Sequence, residues 1–262
     1  MTNMAITVIT LTIKTIDRLP LIDLHSHILP GIDDGARTLD DTIALARQAS
    51  EQGVTHMVCT PHIHLGTFNN TQETIAQAFE LARDAIHEHK IPLKLSYSCE
   101  VRLGIEITQW VEAKSLPLLG AYKGKSALLL ELPHSHIPAG TDSLIHWLLK
   151  RNIQPIIPHP ERNRDILDNY DKATWLKRLG VLFQATAGAF VGTFGERVEQ
   201  TVWRMLDDKL ISYVASDMHN LHKRPNEMKM AYQAISNIKG EMIADNLLYK
   251  MPQQITEHTH WQ

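Results

Sequence analysis

Residues 21–35 read LIDLHSHILPGIDDG. The stretch begins as a short, mostly apolar run, Leu21, Ile22 and Leu24 around Asp23, of the kind that forms a buried strand. His25 and His27 follow two residues apart, a spacing that sends both imidazoles off one face of that strand. A Pro30-Gly31 turn then delivers Asp33 and Asp34. Imidazoles beside hard carboxylates suit a divalent cation such as Zn, Mn or Fe. A lone strand histidine is ordinarily a packed or surface residue, but this D-x-H-x-H with acidic residues behind it reads as a metal site.

Outward from that stretch, strands and helices alternate. Thr38 is placed to cap a helix running to about Gly53, with Asp41 in the capping-box position and Leu39, Ile43, Ala46 and Ala49 on its apolar side. Residues 54–60 (VTHMVCT) read as a strand leading to His62 and His64. Thr71 opens a helix with Ile75, Ala78, Phe79, Ala82 and Ile86 on one face. Further strands are expected over 93–99, 126–132, 153–158, 181–187 and 211–216, with helical stretches between them and two more near the end. Alternation of this kind argues for βα units around a parallel sheet, and seven of them fit an incomplete or distorted (β/α)7 barrel. An open doubly wound sheet is the alternative from pattern alone. Residues 1–20 read as a flexible or edge-strand extension, 21–250 as one domain and 251–262 as a frayed tail.

Six of the seven strands end in metal-type side chains: His25 and His27, then His62, Glu100, Glu131, His159, and finally Asp217 with His219. In a parallel barrel these ends converge on one rim, where active sites are built. With Asp34 added, the candidates exceed what one ion takes, so two or three divalent ions with a bridging carboxylate fit better. Such a cluster turns water into hydroxide near neutral pH and holds both oxygens of a phosphoryl transfer.

Together DLHSHILPGIDDG, CTPHIHLG, the strand-end glutamates, HPERN and ASDMHNLHKRP resemble the PHP superfamily. More narrowly they resemble the bacterial PHP-type protein-tyrosine phosphatases of capsular and exopolysaccharide loci, over residues 21–231. The resemblance implies a distorted (β/α)7 barrel with a three-metal centre. His25, His27, Glu100 and Asp217 would hold the first ion. Glu100 would bridge to the second, completed by Glu131 and His159. Asp34, His62 and His219 would hold the third. Arg162 and Arg224 match arginines that grip phosphate, a role suited to a guanidinium fork. Manganese stands first among the ions the resemblance implies, ahead of Fe, Zn or Co. The nucleophile would be metal-bound hydroxide, and the partner a phosphotyrosine protein, namely a membrane-associated bacterial tyrosine kinase of polysaccharide export. Two features depart from the family pattern: the IHLG after His62, where many relatives carry basic residues, and the length of the extension.

Rival chemistries fail on the residues. A Cys-dependent tyrosine phosphatase needs Arg six positions after Cys, yet Leu65 follows Cys59 and Ile105 follows Cys99 at that distance. No Walker loop is present. A net charge of -3 gives no nucleic-acid surface, and two distant Cys give no disulfide framework. The opening residues have neither the plan of a secretory signal nor the length to span a membrane, so a cytoplasmic protein without direct membrane insertion is expected. Small-molecule phosphoesterase activity, as on histidinol phosphate, and a non-catalytic kinase scaffold are the competing functions. His56, His64, His87, His89, His134, His136, His146 and His222 read as surface or supporting histidines, with His64, His136 and His222 nearest the rim. Arg37, Arg102 and Arg164 read as solvated or structural.

Overall fold

The computed structural model describes residues 20–262; the extension expected over 1–20 lies, apart from Pro20, outside the described residues. The described residues form ten strands: β1 (Leu21–Ser26), β2 (Val54–Cys59), β3 (His62–Ile63), β4 (Lys94–Tyr97), β5 (Glu100–Arg102), β6 (Gly120–Tyr122), β7 (Lys125–Glu131), β8 (Ile153–Pro158), β9 (Leu182–Thr186) and β10 (Tyr213–Ala215). The seven expected strands are all among them, and two, 54–60 and 93–99, are each followed by a short further strand beyond the expected bounds, β3 and β5. β2 stops at Cys59 and resumes as β3 beyond Thr60-Pro61, a proline that cannot donate to a ladder. β4 stops at Tyr97 and resumes as β5. β6 was not expected; it pairs antiparallel with β7.

One sheet has the order β1-β2-β4 and the other β10-β9-β8-β7-β5-β3, all parallel. The broken strands carry the chain from the first sheet into the second: Cys59 faces Tyr97 in one, and His62 faces Glu100 in the other. At the opposite seam a single bridge joins Ser26 to Met218. It is flanked by hydrogen bonds from Asp217 N to His25 O and from His27 N to Met218 O, both 2.9 Å. Seven strand positions therefore follow one another round a distorted (β/α)7 barrel whose ladder is not continuous.

Alternation along each strand separates inside from outside. On β7, Ala127 and Leu129 join the inner apolar cluster while Leu128 and Leu130 pack outward against helices. The inner face also takes Ile156, Leu182, Tyr213 and Ala215. The covering helices include Leu39–Glu51, Gln72–Glu88, Thr141–Lys150, Glu196–Asp207 and Met228–Lys239. Thr38 and Thr71 cap the first two in reciprocal boxes with Asp41 and Thr74. The second helix buries its expected stripe. The first keeps most of its expected face, with Ala46 and Ala49 buried and Ile43 packed against the core, but it also buries Thr42 and Leu45 and leaves Leu39 exposed. The Thr42 hydroxyl donates to Ile28 O at 2.7 Å, a polar contact that sets this face and is invisible to an apolar count.

The end of the chain is not frayed. Helix Met251–Ile255 sends Ile255 into the inner cluster, with Met251 and Trp261 against it. Gln262 then exchanges both backbone hydrogen bonds with Leu95, at 2.8 and 2.9 Å, and Arg83 binds its side chain. The segment closes the barrel's base. Among the described residues no helix is long and apolar enough to cross a membrane.

Candidate metal centre

Most candidate ligands owe their place to a strand end. On β7 the inward alternation through Ala127 and Leu129 puts Glu131 at the rim. On β10 the same alternation runs through Tyr213 and Ala215 to Asp217. Asp217 and His159 adopt left-handed backbone, with φ 53° and 38°, so each side chain is turned just where its strand stops. Asp33 and Asp34 reach the site because the loop after β1 folds back on it: Ala36 N donates to His27 O at 3.0 Å. Gly35 permits that approach, since a Cβ there would stand 1.9 Å from His27 O.

All nine candidate ligands come together. His25 Nε2 lies 3.0 Å from His27 Nε2, 3.3 Å from Glu100 Oε2 and 3.2 Å from Asp217 Oδ1. His159 Nε2 lies 3.0 Å from Glu100 Oε1 and 4.0 Å from Glu131 Oε1. Asp34 Oδ1 stands 3.3 Å from both His62 Nε2 and His219 Nε2. The three sets are not separate. His27 also belongs with Asp34, His62 and His219, and His62 with Glu100 and Glu131. His62 Nδ1 is 3.0 Å from Glu100 Oε2.

Supporting bonds settle which nitrogen faces the centre. His25 Nδ1–H donates to Gln184 Oε1 at 2.7 Å, His27 Nδ1–H to Asp33 Oδ2 at 2.7 Å, and His219 Nδ1–H to Asp217 O at 2.9 Å. In all three Nε2 is left to point inward, as a cation requires. The amide of Gln184 is oriented in turn by its Nε2, which donates to Ala185 O at 2.8 Å. Gln184 was not a candidate, although it shares the inward face of β9 with Leu182 and could have been found by that alternation. Asp33 was noticed, but its role in orienting His27 was not.

Burial pushes His25, His27 and His62 down, but the surrounding carboxylates outweigh it and raise all three, His62 to about 10, so in the apo protein protons supply the positive charge that a cation would replace. Burial pushes the Glu131 carboxyl up to about 7, and the Glu100 carboxylate beside it adds to the rise. Burial also pushes Glu100 up, but His25 and His62 outweigh it and hold this carboxyl well below the usual range. Burial lowers His159 to about 3, helped by the Arg162 charge, and lowers His219 to about 4, helped by His27. Glu100 Oε2, Glu131 Oε2, Asp217 Oδ1 and His219 Nε2 are buried and make no well-aligned hydrogen bond among the described residues, their near neighbours being Arg102 and other groups of the centre itself. Buried acceptors of this kind are costly unless a cation occupies the space between them. Neutral imidazoles and carboxylates without thiolate fit hard or borderline divalent ions.

Both phosphate-gripping candidates rest on one carboxylate oxygen. Arg162 Nη1 and Arg224 Nη2 donate to Asp217 Oδ2 at 2.5 and 2.6 Å, leaving Oδ1 to the imidazoles. Arg102 lies nearer the chemistry than a solvated residue would: its Nε is 3.2 Å from Glu131 Oε2. His64, His136 and His222, by contrast, have no side-chain atom in the cluster groups. Both cysteines are buried, and burial raises both thiols.

A barrel rim that gathers buried imidazoles and carboxylates around a shared centre is suited to holding metal ions, and the barrel itself is found in other solved proteins. The phosphotriesterase homology protein of Escherichia coli, solved with phosphate in its active site, matches with a TM-score of 0.58 at 11% identity, over 90% of this chain and 98% of that one. More narrowly, residues 21–257 match the family model described as capsular polysaccharide synthesis, CpsB/CapC, and the chain belongs to that family. The tyrosine-protein phosphatase YwqE of Bacillus subtilis (strain 168) is 34% identical over 204 residues, 78% of this chain and 79% of its own. A crystal structure from work on YwqE and on CpsB of Streptococcus pneumoniae, described as unique metal-dependent tyrosine phosphatases, matches with a TM-score of 0.84 at 30% identity. It covers 92% of this chain and 97% of that one.

Proposed function

We propose that this protein is a metal-dependent phosphotyrosine-protein phosphatase. The observation that carries the reading is the meeting of clustered, buried imidazoles and carboxylates with two arginines on one rim, in a chain of the CpsB/CapC family. His25, His27, Glu100 and Asp217 would hold one divalent ion, Glu100, Glu131 and His159 a second, and Asp34, His62 and His219 a third, manganese being the first choice. When bound, such ions lower the pKa of water toward neutrality and offset charge on phosphoryl oxygens.

The remaining work falls to the chain's own groups. Gln184 and Asp33 hold His25 and His27 with Nε2 inward. Arg162 and Arg224, released from Asp217 Oδ2 by an incoming phosphate, would take its oxygens and stabilise charge as it shifts between attacking and leaving atoms. The attacking oxygen comes from water, since Cys59 and Cys99 are buried with raised thiols and neither has an arginine at the required distance.

The protein substrate consistent with the family is a polysaccharide-export tyrosine autokinase. The enzyme would then act in the cytoplasm on the kinase's phosphorylated segment and regulate capsule or exopolysaccharide synthesis. The test strips the protein of metal, reconstitutes it with Mn, Fe or Zn, and offers a phosphotyrosine peptide beside histidinol phosphate. Peptide turnover that returns only with metal and is lost in Arg162→Ala supports the reading. Turnover of histidinol phosphate alone would replace it with a small-molecule phosphoesterase.

A further inference from the structure

Three flat rings stand over three groups of the centre. Phe68 stacks on His62, with centroids 5.4 Å apart and planes at 11°. His134 stacks on His159 at 5.2 Å and 26°. The Arg162 guanidinium lies 4.6 Å from the centre of the Phe194 ring. Phe68 and Phe194 are partly exposed, and the His134 side chain is half exposed. The three come from loops following β3, β7 and β9, alternate positions round the barrel, so they surround the rim instead of lining one side of it.

Each ring is fixed by its loop. His64 N and Phe68 O pair at 2.9 Å, and Phe68 N and His64 O at 2.8 Å, a tight return that lays Phe68 back over His62. His134 O accepts from Arg164 N at 2.9 Å, tying its loop to the helix beyond Arg162. Thr193 N donates to Gly188 O at 3.0 Å just before Phe194.

We propose that Phe68, His134 and Phe194 form a collar that makes the site selective for aryl over alkyl phosphate esters. The proposal rests on the phosphatase reading above and supplies its specificity. In an aryl ester the ring sits one oxygen from phosphorus, so groups that recognise it must stand directly beside those that hold phosphate. These three do so: each touches either an imidazole of the centre or the arginine that grips phosphate. An alkyl ester presents a methylene at the same point, with no face to stack. A stacked or edge-on ring pair contributes enough to change affinity by about three- to tenfold per ring.

The test is calorimetric binding of phenylphosphonate and methylphosphonate to the Mn-loaded protein, neither of which is turned over. The wild type should favour phenylphosphonate by about tenfold or more, and Phe68→Ala, His134→Ala and Phe194→Ala should each narrow that ratio by about three- to tenfold. Methylphosphonate affinity should stay within about twofold in all three variants. His134→Phe should keep the ratio, because it retains the ring and loses the proton-exchanging nitrogens. Equal affinity of the two ligands for the wild type overturns the collar. So does a parallel loss of both in the variants, which would mean that the rings only shield the metal ligands. A phenyl preference without phosphotyrosine-peptide hydrolysis would sink the protein-phosphatase reading and leave the collar standing; hydrolysis without the preference would do the reverse.

Discussion

The two ends of this barrel are built from the same strands to opposite specifications. At the base, Ile22, Leu24, Leu129, Ile156 and Ile255 form a dry plug, closed from below by the last turns of the chain. At the rim, one or two residues further along several of those strands, the side chains become carboxylates and imidazoles, some of them buried without a well-aligned hydrogen bond. The rim also holds His159 and Asp217 in left-handed backbone. Burial stabilises at one end and costs free energy at the other. The base holds the fold together so that the rim can carry charge it would not otherwise tolerate.

The largest break in that comparison is expected at Glu100. Glu100→Gln keeps shape and removes the shared carboxylate, so turnover should fall by about a thousandfold or more, while the melting temperature of the metal-free protein stays level or rises. A metal-free form that melts lower would mean that the rim stabilises the apo fold. At the base, Ile255→Ala should cost about 2–4 kcal/mol by denaturant titration and leave kcat of the folded enzyme unchanged. A fall in kcat would show the plug reaching the chemistry. Gln184→Leu tests the layer between, since His25 would lose the acceptor that fixes its tautomer. Metal affinity should drop by about 10- to 100-fold, read by chelator competition, with Tm little changed. The smallest effect belongs to the helix cap: Thr38→Ala should cost about 1 kcal/mol, with activity intact.

Burial of Lys177 provides a pH readout remote from the rim. Burial lowers its ammonium to about 8, so above that pH the folded state holds fewer protons than the unfolded one. Its contribution to stability therefore rises between about pH 8 and the ordinary lysine range, and is at its worst below pH 8. Lys177→Met should raise Tm at pH 7 by more than at pH 10, measured by calorimetry on the metal-free protein.

Legibility in the sequence followed the same division. Strand positions and rim residues were readable because six of the seven strands announce themselves as apolar runs that end in metal-type side chains. The broken strands were less so: 54–60 and 93–99 read as whole strands, and only pairing shows His62 and Glu100 starting new ones in a second sheet. Gln184 was passed over because an amide between apolar residues looks like an ordinary polar position until His25 is found 2.7 Å away. Leu39 was assigned inward because period alone cannot see the Thr42–Ile28 hydrogen bond. The last residues looked frayed because their partner, Leu95, lies far away in sequence. Long-range contacts, not local preference, account for most of what was missed.

The split strands have a mechanical meaning as well. His25 and His27 ride on the three-stranded sheet, while Glu100, Glu131 and His159 ride on or just beyond strands of the seven-stranded one. Across the Ser26–Met218 seam the two are sewn by a single bridge. A cation held by His25, His27 and Glu100 would act as a rivet through both plates, and stripping it would let the plates part first along that seam. Amide exchange at His27 and Asp217 should then quicken on chelation well before exchange in the interior of β7 and β8.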